Sequence, residues 1–369
     1  FFSLFLMLIV SLSLSAETKE KTILFLVPFY SNYYNEQQIA EIHECEDIAA
    51  VKSFQLFGFW AGAQVALTEY EQKGIPLNII VKDVSESETK LRNILENKDF
   101  MSKVDLIIGP FFSKLFAVAS KYAQEYKIPI VNPFSNRTDF LQNNEYVYKL
   151  IPSKESRPAT LAFWADQFPQ HKIFVHADTS NFHKTDFSYI RYFKNNNIPY
   201  TLIGSGSNVS KKLSSEGKNI VILQINETAK IMMLVRDLMY NSNPDNMILV
   251  ISEDLLESNT LEIEYFSKLN AHFFSDFFVD YSNEQTQVFI HNFKEKFKTM
   301  PTLDNFAFQG YDITRYFVEL LENDMDMDRV KIEPIAYRLS FDKTENGGYE
   351  NVNTQFLQVI DNEIRQAGY

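Results

Sequence analysis

Short, wholly apolar runs alternate with amphipathic stretches of helical period along most of this chain. Ile23-Leu24-Phe25-Leu26-Val27 is uninterrupted apolar sequence closed by Pro28, the pattern of a strand covered on both faces. Phe57 to Tyr70 reads as a helix, with Lys73-Gly74 at its end and Pro76 beyond. Strands are expected at Leu77–Val81, Val104–Ile108 and Ile128–Val131, with helices at Thr89–Lys98 and Leu115–Tyr126 between them. This β-α-β rhythm calls for a parallel sheet with helices on both faces.

The rhythm restarts after Pro152. Helices are expected at Ala159–Gln167, Asp186–Asn195 and Glu227–Met239, and strands at Lys172–His176, Tyr200–Ile203, Asn219–Leu223 and Met247–Ile251. Gln287–Thr299 and Tyr311–Leu321 are strong helices, and the tail from Ile335 is β-like with a Gly347-Gly348 turn. Polar stretches, Ser31 to Ser53 and Gly204-Ser205-Gly206-Ser207, read as a long loop and a connector. A chain of 369 residues is long for one core, so the reading is α/β with two doubly wound lobes.

Composition and motifs narrow the function. With 45% hydrophobic and 22% charged residues the chain is globular. A net charge of −13 without a basic stripe argues against nucleic-acid binding. A single cysteine, Cys45, excludes an intrachain disulfide and a multi-cysteine metal site. No G-x-G-x-x-G, Walker A, G-x-S-x-G or H-E-x-x-H sequence occurs. The histidines lack metal-ligand spacing; His43-Glu44-Cys45-Glu46-Asp47 reads as a solvated acidic patch, and Asp324, Asp326 and Asp328 as a polar linker. The expectation is a protein that is not an enzyme and carries no metal or cofactor.

Phe1 to Val10 is nearly pure apolar, followed by Ser11 to Ala16 and a charged run. That is the h-region and cleavage site of a secretory signal peptide over residues 1–16, too short for a membrane span. With no initiator Met or basic n-region, the sequence as given starts inside that leader. The mature protein is expected in a bacterial periplasm, since an exported chain without cysteine pairs does not suit a disulfide-forming secretory route.

Open α/β sheets bind ligands at the carboxyl ends of their strands. Asp105-Leu106-Ile107-Ile108-Gly109-Pro110-Phe111-Phe112-Ser113 is a strand, a turn, and a serine near a helix start. There outward-pointing amides and the helix dipole suit a carboxylate. Ile128 to Asn136 repeats the arrangement and offers Ser135 and Asn136. Simple capping of the next helix by Ser113 and Ser135 is the open alternative. His176, at a strand end, is read as a structural histidine.

These segments resemble the type I periplasmic-binding-protein fold of branched-chain amino acid (Leu/Ile/Val) ABC transporter substrate-binding proteins. The matching features are Val104–Ser113, Ile128–Asn136, Tyr146–Ser153, the Phe289–Pro301 stretch and Phe308-Gln309-Gly310-Tyr311-Asp312. Phe341 with Gly347-Gly348-Tyr349-Glu350-Asn351 is similar to the tail of a Bacteroidetes branch whose members often carry LysM modules. The resemblance implies ligand binding by hinge closure between lobe one (22–150 plus 275–325) and lobe two (151–274 plus 326–369). It implies that Ser113 holds a ligand carboxylate beside Ser135 and Asn136, that Phe182 is a cleft aromatic, and that Glu253 pairs the ligand's ammonium. Tyr30, in a first-strand loop that is not glycine-rich, is a further candidate. The implied partners are a small-molecule ligand (an amino acid or small carboxylate) and a membrane permease. The alternative is a cell-envelope interaction protein working with cell-wall machinery, since some activators of peptidoglycan synthases resemble the same fold.

Overall fold

A computed structural model describes residues 20–31, 56–178, 187–204, 208–225, 227–256, 262–302, 306–345 and 347–368. The expected signal peptide, the 32–53 part of the polar loop, the His43–Asp47 patch and Phe182 lie outside the described residues.

The first sheet contains β1 (Lys21–Val27), β2 (Leu77–Asp83), β3 (Leu106–Ile108), β4 (Ile130–Asn132) and β5 (Val147–Lys149). All five are parallel, and β1, β3, β4 and β5 are almost wholly buried because helices cover both faces. One face carries α1 (Phe57–Gln72), and the other α2 (Glu88–Leu95), α3 (Lys98–Met101) and α4 (Ser113–Tyr126). The single helix expected at Thr89–Lys98 is two, because the Asn97 side chain accepts the amide of Phe100 at 3.1 Å and starts a new turn. Tyr146–Ser153, for which no strand was expected, contributes β5.

The second sheet repeats the plan. It contains β6 (Lys172–Ala177), β7 (Thr201–Gly204), β8 (Asn219–Gln224), β9 (Met247–Ile251) and β10 (Ala271–Ser275). Its helices are α5 (Ser156–Ala165), α6 (Ser188–Asn195), α7 (Thr228–Asn241) and the short α8 (Ile263–Lys268). The strand orders β2-β1-β3-β4-β5 and β7-β6-β8-β9-β10 are the same, so the molecule is two copies of one doubly wound unit.

The chain then returns to lobe one for α9 (Glu284–Phe297) and α10 (Ala307–Glu322), which pack with α1 in one apolar cluster. Gly62 and Gly310 let α1 and α10 touch backbone to backbone. A Cβ on Gly310 would stand 1.9 Å from the Phe59 carbonyl oxygen, and one on Gly62 1.8 Å from that of Ala307.

The tail does not belong wholly to lobe two. β11 (Phe341–Lys343) and β12 (Tyr349–Asn351) extend the first sheet beside β5, while β13 (Gln355–Ile360) and β14 (Glu363–Gln366) extend the second beside β10. The 326–369 boundary is therefore corrected: only the part after Asn351 adds strands to lobe two. Tyr349 stacks on Tyr148 at 4.7 Å, which anchors β12 where it is.

Three crossovers join the lobes and polar side chains fasten them. Asn351, 1% exposed, donates to the carbonyls of Leu150 (3.0 Å) and Arg338 (3.2 Å) and accepts from the amides of Ser340 (3.0 Å) and Asn353 (3.2 Å). Lys149 pairs with Glu350 at 2.6 Å, and the same carboxylate accepts the Ser153 amide at 2.9 Å. Buried Asp312 accepts the amides of Ile335, Ala336 and Tyr337, at 2.7 Å for Ala336. Burial pushes its carboxyl up to about 6, against the opposing pull of those three amides.

Candidate functional site

In each lobe the strand order reverses between the first and third strands, which opens a crevice at their carboxyl ends. In lobe one the turn after β3 is pressed against β1. Gly109 has φ +94°, and a Cβ there would lie 2.4 Å from the Leu26 carbonyl oxygen, so the turn requires glycine. Phe112 precedes α4 and offers no capping side chain, so the first amides of that helix have no side-chain acceptor.

Ser113 is thus the first residue inside α4 and does not cap it. Its Oγ lies 3.1 Å from Ser135 Oγ. Ser135 caps no α-helix either; its hydroxyl accepts the Arg137 amide at 3.3 Å within its own turn. Asn132 fixes both loops, accepting the amides of Phe134 (2.9 Å) and Ser135 (2.7 Å) and donating to the Pro110 carbonyl at 3.4 Å. Asn136 follows on the exposed rim. The capping alternative for the two serines is not what the structure shows; their hydroxyls meet at the open end of α4.

The loop after β1 is organised by a residue the sequence reading passed over. Asp83, at the end of β2, accepts the amides of Phe29 (3.0 Å), Tyr30 (3.2 Å), Ser31 (2.7 Å) and Ser85 (2.9 Å), and the hydroxyls of Ser31 (2.7 Å) and Ser85 (3.1 Å). Burial alone would raise its carboxyl, but the donors of Ser31 and Ser85 outweigh it and hold the group below the usual carboxylate range. Tyr30 is 6% exposed, with its hydroxyl donating to Glu86 Oε1 at 2.5 Å. It braces the β1 loop against the end of β2.

Between these loops stands an aromatic wall. Phe111 packs on Phe59 (4.8 Å between centroids) and Phe134 (5.2 Å), and Phe134 continues to Phe306 at 4.6 Å. Phe134 and Phe306 are half-buried, so part of this apolar surface remains open.

In lobe two a cavity of about 150 Å³ opens at the ends of β8, β9 and β10, lined by Arg157, Tyr189, Gln224, Ser252 and Asp254 among others. Gln224 closes β8 after the apolar run Ile220–Leu223; it is 7% exposed, and neither its Nε2 nor its Oε1 has a hydrogen-bond partner. Arg157, in the first turn of α5, reaches Asp276 of the second crossover at 3.3 Å, while its Nε is buried without a partner. Glu253, half-buried beside the cavity, accepts the Ser275 hydroxyl at 2.7 Å. His176 is 3% exposed on β6, and burial lowers it to about 4, the neutral structural form.

The structure therefore brings Ser113 and Ser135 together, sets Tyr30 with Glu86 at the strand ends of lobe one, and places Glu253 at the lobe-two end of the second crossover. Gln224 and Arg157 were missed. The available signal was a polar residue terminating a buried strand and a cation just past a crossover. Among the described residues no three His, Cys, Asp or Glu converge as a metal site, and no helix is long and apolar enough to cross a membrane.

Comparison with solved structures agrees with this architecture. A putative branched-chain amino acid ABC transporter protein from Rhodospirillum rubrum superposes with a TM-score of 0.61 at 12% identity, covering 95% of this chain and all of that one. An ABC transporter substrate-binding protein from Desulfitobacterium hafniense in complex with Leu gives 0.51 at 15% identity, again over 95% and 100%. Full-length LpoA from Haemophilus influenzae gives 0.55 at 13% identity, covering 95% of this chain and 59% of that one. No curated protein sequence matches the chain. The periplasmic binding protein family matches residues 53–345, and with two doubly wound lobes around a crevice the chain belongs to that family, in its type I fold.

Proposed function

We propose that the protein captures a small polar ligand, an amino acid or small carboxylate, between its lobes and delivers it to an ABC-type permease from the periplasm. The observation that carries this reading is the open N-terminus of α4 with the Ser113 and Ser135 hydroxyls 3.1 Å apart beside it. Unsatisfied amides, a positive dipole end and two hydroxyls form a receptor for a carboxylate. Glu253 takes the ligand's ammonium, and Asn136 and Tyr30 contribute to the walls. The function is binding without turnover, and the segment ending at Ala16 is removed on export.

Thermal-shift screening of the ligand-stripped protein against amino acids and small carboxylates tests this, since a binder stabilises the fold by mass action. For whichever compound binds, Ser113→Ala should weaken affinity by about ten- to a hundredfold, the loss of one hydrogen bond to a charged group. Unchanged affinity would remove Ser113 from the site. Intact-mass measurement after cell fractionation checks the export step; full-length protein in the membrane pellet contradicts it.

A second reading, a cell-envelope interaction protein with a degenerate cleft, is favoured by Asp83. Its carboxylate fills the amide-lined loop after β1 from within, leaving Phe29, Tyr30 and Ser31 no amide to offer a ligand. The shared fold of LpoA is compatible with it. No stabilisation by any compound in the screen would favour this reading.

A further inference from the structure

The cavity in lobe two has a hydrogen-bonding inventory that specifies more than a polar ligand. Gln224 presents one donor group and one acceptor, both unpartnered at 7% exposure. Arg157 adds a buried, unpartnered Nε–H on the same lining. Leaving such groups unsatisfied costs stability, so their persistence calls for an occupant. A carboxylate would accept from Gln224 Nε2 and Arg157 Nε but would leave Gln224 Oε1 facing another acceptor. An apolar group would satisfy none of the three. A carboxamide satisfies all: its oxygen accepts from Gln224 Nε2 and Arg157 Nε–H, and its own N–H donates to Gln224 Oε1.

Charge points the same way. The lining carries Lys154 and Arg157 against Asp254, with Asp276 already at the Arg157 guanidinium. Two cations meet Asp254, Asp276 and the neighbouring Glu253, so no surplus of positive charge awaits a second carboxylate. The volume, about 150 Å³, holds roughly five water-sized groups, enough for an amide and the carbons next to it.

We propose that lobe two selects a ligand bearing a carboxamide end, held by Gln224 and Arg157. This rests on the cleft being a ligand site and goes further by naming the group lobe two reads. With the carboxylate at Ser113 and the ammonium at Glu253, the ligand class is an α-amino acid with an amide side chain.

Calorimetric titration with L-glutamine, L-glutamate and L-norleucine tests it. L-Glutamine should bind at least a hundredfold more tightly than either analogue, because a site built for hydrogen bonds rejects groups that leave them unmade. Gln224→Leu should reverse the preference in favour of L-norleucine. Without ligand the same variant should melt about 2–4 °C higher, through removal of an unpaired buried amide. Binding of L-norleucine or L-glutamate as tight as that of L-glutamine would overturn the carboxamide assignment and leave the cleft reading standing. Absence of binding by all three at 10 mM (about ten-thousandfold above a micromolar Kd), together with a lower melting temperature for Gln224→Leu, would overturn the carboxamide assignment, and the wider thermal-shift screen would then decide the cleft reading.

Discussion

Replacing Gly310 with alanine asks whether the α1–α10 contact sets the geometry of lobe one. The added Cβ would lie 1.9 Å from the Phe59 carbonyl oxygen and 2.7 Å from its carbon. Ordinary contact begins at 3.4 Å, so the helices must part by about 1.5 Å, since neither backbone can step aside alone. A gap of that size forfeits a large share of the dispersion energy between Ala61, Val65 and Ala66 of α1 and Phe308 and Tyr311 of α10, at a cost of about 3–5 kcal/mol. Alanine's better helix propensity returns about 1 kcal/mol. The net loss should be about 2–4 kcal/mol. Urea denaturation can follow each lobe separately, because Trp60 sits in α1 and Trp164 in α5. Gly62→Ala, 1.8 Å from the Ala307 oxygen, should behave alike, and the double variant should lose less than the sum because one separation relieves both clashes. A Gly310→Ala protein as stable as the parent would refute the reasoning.

Other consequences follow from the buried polar groups. Asn351→Ala removes four hydrogen bonds between crossover segments and should cost about 2–4 kcal/mol in the same assay; a loss below about 0.5 kcal/mol would mean that Asn351 does not fasten the hinge. Burial lowers His176 and His272 to about 4, so the unfolded chain takes up their protons first as pH falls below about 6.5. Stability should therefore decline between about pH 6.5 and 4, by about 1–3 kcal/mol per histidine. His272→Phe, whose ring would keep the packing against Trp164 and Phe356, should flatten that slope, and an unchanged pH profile would show that His272 is not buried neutral.

The layered architecture was readable because parallel strands covered on both faces must be written as continuous apolar runs, as in Ile23–Val27 and Met247–Ile251. The division of the tail was not, because β12 and β13 differ in partner and not in pattern: Tyr349 joins lobe one through Tyr148, and Phe356 joins lobe two through Trp164 and Phe274. Ser113 and Ser135 could be placed at strand ends by counting. Their meeting at 3.1 Å depends on Asn132 holding the second loop against the Pro110 carbonyl. Asp83 escaped notice because three of its donors are backbone amides of a loop 52 to 54 residues away, and backbone donors leave no mark in a sequence.

The central claim is that the lobes close on a ligand held between them. Spin labels at Lys114→Cys and Ala229→Cys, in a Cys45→Ser background, would sit on exposed first-turn positions of α4 and α7, at the crevice ends of the two sheets. Pulsed dipolar spectroscopy should show the interlabel distance shorten on saturation with whichever compound stabilises the fold, and Ser113→Ala should shift that response to higher concentration. A compound that binds and leaves the distance unchanged would place its site outside the crevice and contradict the account.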